Sequence, residues 1–341
     1  MRRGLRYSLL SLLILLVACA EPEQPAPELL VYSARKEHLI KPLFDRFTEQ
    51  TGVVVRYVTD KAGPLLTRLQ AEGENSPADL LMTVDAGNLW QATEVGVLQP
   101  VESAILNSNV PKHLRGRDNS WFSLTIRART MVYNTDTLSA SDLSTYEALA
   151  QPEWAGRLCL RTSKKVYNQS LVATMIATLG EEQAEQVVAG WVDNLALDPF
   201  SNDTKVMEAV ALEQCEVGIV NTYYYGRLKK QKPEIPLALF WPNQQGEGAQ
   251  GRGVHVNVSG VGITRASQNK VLAQQLIEWL TTPEAQRMLM DLNQEYPVNP
   301  SVEMNAELQA WGLFKGDQID VSEAGRLQAA AVKLMDRVGY R

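Results

Sequence analysis

Of the 11 tyrosines in this 341-residue chain, five stand where apolar, strand-like runs end. Tyr32 closes LLVYS, Tyr167 follows GRLCL in SKKVYNQS, and Tyr223, Tyr224 and Tyr225 follow VGIV in NTYYYGR. A phenol ordinarily holds its proton up to a pKa of about 10, but a cation that displaces the proton meets a hard, anionic oxygen. Several such oxygens suit a small, highly charged metal ion, and a divalent ion would not repay ionising them all. The competing reading of any single tyrosine is a buried ring with a hydrogen-bonded hydroxyl. The adjacent run resists that reading. Consecutive strand residues point to opposite faces, so neighbouring rings converge only where the strand has ended, as the start of a loop or helix at Gly226 would allow. Imidazole is scarce: His38, His113 and His255 lie far apart, and no Cys-His cluster has zinc spacing.

The elements that must carry these residues alternate. Leu29–Ser33 reads as a strand, and Leu39, Ile40, Leu43, Phe44 and Phe47 fall on one face of a helix over Glu37–Gln50, closed by Gly52. Val53–Val58 is β-branched, Leu65, Leu66 and Leu69 mark a second helix ending at Gly73, and Asp79–Val84 is a third strand. The pattern returns with a strand at Gly156–Leu160, a helix over Leu171–Leu179, and another helix carrying Val187, Val188, Trp191 and Val192. Further strands follow at Val217–Val220, Leu237–Trp241 and Val256–Ile263, with a helix around Leu276, Ile277, Trp279 and Leu280 that stops near Pro283. The first strand–helix–strand–helix–strand stretch is the signature of a parallel α/β sheet, and its return predicts two α/β units. Ligands of such sheets sit beyond the carboxyl ends of the strands, where the tyrosines fall.

Composition narrows the function classes. The chain is 45% hydrophobic and 21% charged, so it is globular, and its formal charge of −6 argues against sequence-independent nucleic-acid binding. Arg2, Arg3 and Arg6, the apolar Leu9–Val17 and the small residues Ala18-Cys19-Ala20 form an export signal too short to span a bilayer. Leu16-Val17-Ala18-Cys19 resembles the bacterial lipobox, which makes Cys19 the expected lipidated first residue, and the proline-rich acidic stretch to Glu28 suits a tether. Plain cleavage after Ala20 fits the same residues. Export leaves Cys159 and Cys215 where disulfides persist, and both lie in strand-like runs, so a bond between them is expected. No GxSxG or HExxH supports a hydrolase.

The segments VYSARKE, NSPADLLMTVDAG, RARTMVYN, VYNQSLVA, NTYYYGR, HVNVSGVGIT and EYPVNP resemble, in order, the ferric-iron-binding solute-binding proteins of bacterial ABC importers. The resemblance runs from Leu29 to about Pro300. It implies a two-lobed type II periplasmic-binding-protein fold whose crossing strands act as a hinge. The implied organisation is a signal peptide over 1–18, Cys19 and tether over 19–28, a first lobe from 29–126 plus 258–302, and a second from 127–257 plus 303–341. The implied function is capture of Fe(III) between the lobes and delivery to an ABC permease, by a periplasmic, lipid-anchored monomer that is not an enzyme.

The same resemblance places metal ligands at Tyr223 and Tyr224, at Tyr167, and at Tyr32, while Tyr225 packs. Where other members carry a histidine after the first strand this chain has Lys36, which leaves Tyr32 the least supported of the four; His38 and His255 are not expected to ligate. Arg127 is the expected holder of a carbonate or similar anion, with Arg129, Asp85, Ser163 and Asn202 as supporting anion or outer-sphere residues. The alternative of the same fold is a receptor for a polyamine or an oxyanion, which would use carboxylates and aromatic walls, or arginines and helix N-termini.

Overall fold

The computed structural model describes residues 26–341, so the export segment and Cys19 lie outside it. Strand β1 (Glu28–Ser33), helix α1 (Lys41–Thr51), strand β2 (Val54–Thr59), helix α2 (Ala62–Glu72) and strand β3 (Leu80–Val84) follow the expected alternation, with β1 parallel to both β2 and β3. Helix α1 buries Leu43, Phe44 and Phe47 and ends at Gly52, whose φ of 74° suits glycine. It starts at Lys41 rather than Glu37. Pro42 has no amide hydrogen to give a preceding turn, so it fits only the first turn of a helix. The residues before it form a separate 3-10 turn, Glu37–Leu39.

Helix α3 (Ala86–Glu94), strand β4 (Leu98–Gln99), helix α4 (Ala104–Asn109) and strand β5 (Phe122–Asn134) complete the first half. Beyond them come β6 (Leu158–Cys159), α5 (Val166–Leu179), α6 (Glu181–Asp193), α7 (Asp203–Ala211), β7 (Val217–Asn221), α8 (Thr222–Gln231) and β8 (Leu237–Phe240). The chain then returns through β9 (Val256–Thr264), α9 (Lys270–Leu280), α10 (Pro283–Asn293) and β10 (Tyr296–Pro297) to α11 (Ala306–Ala310), α12 (Glu323–Arg326) and α13 (Gln328–Arg337).

Two sheets share one strand. The first has the order β2-β1-β3-β9-β5, with β4 beside β9 and β10 beside β5; the second has β5-β7-β6, with β8 beside β5. Residues Phe122–Ala128 of β5 pair with β9, and Arg129–Tyr133 pair with β7, so the strand leaves one sheet and enters the other between Ala128 and Arg129. This is the two-lobed α/β architecture, with β5 and β9 side by side where the lobes meet. Parallel strands β6 and β7 bring Cys159 and Cys215 to a Cα separation of 5.9 Å, and the expected disulfide is formed.

His255, just ahead of β9, is a buried structural residue. The Thr174 hydroxyl donates to Leu171 O at 2.9 Å, so at 3.0 Å from His255 Nδ1 it accepts, and the proton sits on Nδ1 while Nε2 is buried without a partner. Burial, then the guanidiniums of Arg129, Arg252 and Arg127, push its pKa down to about 3. The unfolded imidazole takes a proton below its ordinary pKa of 6.5, and the folded one refuses it until about 3. Stability from this residue is therefore present above 6.5 and drains away as pH falls through that window, at up to about 1.4 kcal/mol per pH unit. In urea titrations between pH 7 and pH 4, His255→Gln should flatten the acid slope of unfolding free energy; an unchanged slope would refute this account.

Candidate metal centre

Strands β6 and β7 are parallel neighbours; the chain passes from β6 through a short loop into α5, and from β7 directly into α8. Tyr167 is the second residue of α5; Tyr223 and Tyr224 are the second and third of α8. Both helices begin earlier than the sequence pattern indicates, α5 at Val166 rather than near Leu171 and α8 at Thr222 rather than Gly226. That early start is what lets adjacent tyrosines converge. On a helix they diverge by about 100° instead of the 180° of a strand, and the rings of Tyr223 and Tyr224 lie 4.5 Å apart at 34°. Tyr225 turns away: its hydroxyl donates to Leu237 O at 3.2 Å and its ring meets Trp311 edge-on at 5.9 Å.

Guanidiniums surround the three tyrosines. Arg127 Cζ lies 5.8 Å and Arg161 Cζ 5.2 Å from the Tyr167 ring, Arg161 is 5.9 Å from the Tyr224 ring, and Arg227 is 5.0 Å from that of Tyr223. Asn221 Nδ2 donates to the Tyr223 hydroxyl at 3.3 Å. Burial, then the neighbouring Tyr167 and Tyr224, push the Tyr223 phenol well above its ordinary pKa, with Arg127 opposing. A phenol in that position keeps its proton at neutral pH.

Arg129 organises the group from below. Its Nε donates to Asn168 Oδ1 at 2.9 Å, its Nη1 to Asp203 Oδ2 and Asn221 Oδ1 at 3.2 Å each, and its Nη2 to Ile219 O at 3.1 Å. Asn168 follows Tyr167 and Asn221 precedes the tyrosine run, so one guanidinium fixes the starts of both tyrosine-bearing helices. Asp203 also accepts from Arg161 Nη1 at 3.3 Å and from the amide of Asn221 at 3.0 Å.

The remaining expected residues are placed as follows. Tyr32 is not brought to the other three. It lies inside β1, its hydroxyl donates to both Glu72 oxygens at 2.9 and 3.1 Å, and Arg68 covers its ring at 4.6 Å. Strand alternation turns it toward α2, and burial, then Glu72, push its phenol up to about 12. Arg127 is buried and already engaged, with Nη1 on Ser259 Oγ at 2.9 Å and on Glu295 Oε1 at 3.4 Å, and Nη2 on Val258 O; its Nε is left unpartnered. Arg35, from VYSAR, holds the other side of the same carboxylate, with Nη1 3.1 Å from Glu295 Oε2. Burial alone would push the Glu295 carboxyl up, but the two arginines outweigh it and hold it low. Asp85 accepts from Ser170, Asn257 and Gly87. Asn202 caps α7, accepting from Lys205 N at 3.0 Å, and the Ser163 amide donates to Arg341 O at 3.1 Å.

Arg161 and Asp203 were not singled out from the sequence. Arg161 stands two residues beyond β6, the same post-strand position that drew attention to the tyrosines, and its Nε is buried without a partner. Among the described residues no group of three or more histidine, cysteine, aspartate or glutamate side chains is placed to hold a metal.

A family model described as bacterial extracellular solute-binding protein matches residues 42–316. The chain belongs to that family. It is 42% identical over 320 residues to iron uptake protein A1 of Synechocystis, covering 92% of this chain and 88% of that one. Among solved structures, a Trichodesmium protein (IdiA, FutA) in complex with iron and citrate superposes with a TM-score of 0.88 at 43% identity, covering 92% of this chain and all of that one. The ferric binding protein from Campylobacter jejuni gives 0.83 at 37% identity, covering 92% and 100%. These relatives share the two-lobed fold, and they are binding proteins of transport, not enzymes.

Proposed function

We propose that this solute-binding protein captures Fe(III) on the phenolates of Tyr167, Tyr223 and Tyr224 and delivers it to an ABC permease. The observation that carries the reading is the convergence of three tyrosines beyond two parallel strands, each facing a guanidinium. Three phenolates balance a trivalent cation, and the arginines favour the ionised oxygens. Three protein oxygens leave half of an octahedral sphere for water or a small oxygen anion. Arg161, whose Nε is unpartnered, supplies positive charge for carbonate or a carboxylate there. The relatives support the cargo: an iron uptake protein, a ferric binding protein, and a structure holding iron with citrate.

On this reading the lobes are 29–126 with 258–302 and 127–257 with 303–341, the anchor is a lipid on Cys19, and the protein works as a periplasmic monomer. No helix among the described residues is long and apolar enough to cross a membrane. The test is metal analysis and an absorption spectrum of the purified protein lacking residues 1–18. Iron should give a visible phenolate-to-metal band that a chelator removes faster at mildly acidic pH, because each ligating phenol must recover a proton on release. A colourless protein that binds no iron at neutral pH would refute the assignment.

Tyr32 provides an internal control. Its hydroxyl is committed to Glu72, so Tyr32→Phe should keep the band and change iron affinity less than about threefold, while losing about 1 kcal/mol of stability with the hydrogen bond. Loss of the band in this variant would return Tyr32 to the ligand set.

A further inference from the structure

One contact joins the two lobes beside the metal centre without belonging to it. Asp85 follows β3 of the first sheet and caps α3, accepting from Gly87 N at 2.9 Å, with a φ of 77° that non-glycine residues seldom adopt. Its carboxylate also accepts from Ser170 Oγ at 2.8 and 2.9 Å and from Asn257 Nδ2 at 2.8 Å, and its amide donates to Val258 O at 2.8 Å. Asn257 and Val258 belong to β9, where the lobes meet. Ser170 belongs to α5, three residues after Tyr167 and thus on the same helix face. Asp85 and Ser170 are both fully buried. With two partners on each oxygen, the carboxylate has little left to offer a metal.

The surroundings keep this contact tight. Helix α12 packs against both α3 and α5, and a Cβ added at Gly325 would lie 2.5 Å from Trp90 Cβ. The second lobe holds α5 through Asn168, which accepts from Arg129 and donates to Arg161 O at 2.6 Å. The first lobe holds it two residues further on, through Ser170. Tyr167 therefore stands on a helix start gripped from both lobes.

We propose that Asp85 is a positioning residue: by bonding Ser170 it fixes the start of α5, and with it the Tyr167 oxygen, relative to the first lobe, so that lobe movement and metal grip are coupled. This rests on the iron-binding reading above. The coupling uses the element a hinged binding protein would have to control when it releases its cargo.

Ser170→Ala and Asp85→Asn test it. Alanine is a good helix former and removes one hydroxyl, and asparagine tolerates positive φ, so both variants should fold. Two readouts are taken: amide exchange over residues 166–172 in the metal-free protein, and the rate at which a chelator removes iron, followed by the visible band. Ser170→Ala should speed both about tenfold, the equivalent of one buried hydrogen bond, while the band itself persists. The two substitutions should not add in the double variant, the signature of a shared interaction. Unchanged exchange in Ser170→Ala overturns the contact's role. Faster exchange with an unchanged iron-release rate overturns the positioning claim and leaves a merely structural bond. Should the parent protein bind no iron, the functional reading fails and the positioning claim falls with it, whereas the exchange data still report the contact by themselves.

Discussion

Replacing Tyr223 and Tyr224 together by phenylalanine should abolish the visible band and weaken iron binding by at least about a thousandfold, equivalent to roughly 4 kcal/mol. The two oxygens are the ones that phenylalanine removes while leaving the rings, and the rings are packed 4.5 Å apart with Arg227 over one and Arg161 over the other. The fold should therefore survive, with a melting temperature close to the parent's. A single remaining phenolate, that of Tyr167, cannot balance a trivalent charge, and the Asp203 carboxylate beneath it is committed to Arg129, Arg161 and the Asn221 amide. The single variants should each retain a weaker, shifted band. Tyr225→Phe is the control, because its hydroxyl is spent on Leu237 O, and its spectrum should match the parent. Parent-like affinity and an intact band in the double variant would remove the tyrosine pair from the site.

The tyrosine loops were legible because their chemistry does not need long-range information. A strand followed by an aromatic run is visible in sequence, and the parallel order of β6 and β7 places both loops at one edge. What was not legible depended on tertiary pairing. Tyr32 ends an apolar run as Tyr167 follows one, but only the packing of α2 against β1 shows that its hydroxyl faces Glu72. The helix starts at Val166 and Thr222 were hidden because polar residues such as Tyr167, Asn168 and Ser170 break the apolar periodicity. Strand β5 shows the same effect: FSLTIRARTMVYN is almost wholly buried, yet its serine, threonines and arginines obscure any alternation. Those polar residues are buried because partners from distant segments satisfy them, Glu295 for Arg127 and Asp203 for Arg129. Partnership of that kind has no local signature.

Arg129 is where stability and function should fail together. The side chain is 1% exposed, and it reaches Asn168, Asp203, Asn221 and Ile219 O from one guanidinium. Arg129→Met keeps most of the volume and removes every one of those donors. Asp203, itself fully buried, would retain only Arg161 and the Asn221 amide. Breaking a buried pair by deleting one partner costs about 3–5 kcal/mol, so chemical unfolding should show a loss of that order. Iron binding should weaken as well, because the side chains that fix the starts of α5 and α8 lose their common anchor. Adding Asp203→Leu should restore neither stability nor iron affinity, since it takes the Asp203 carboxylate away from buried Arg161 and leaves Asn168 and Asn221 without their anchor. Stability within about 1 kcal/mol of the parent for Arg129→Met, or recovery of affinity along with stability in the double variant, would show that the network beneath the tyrosines does not set their positions.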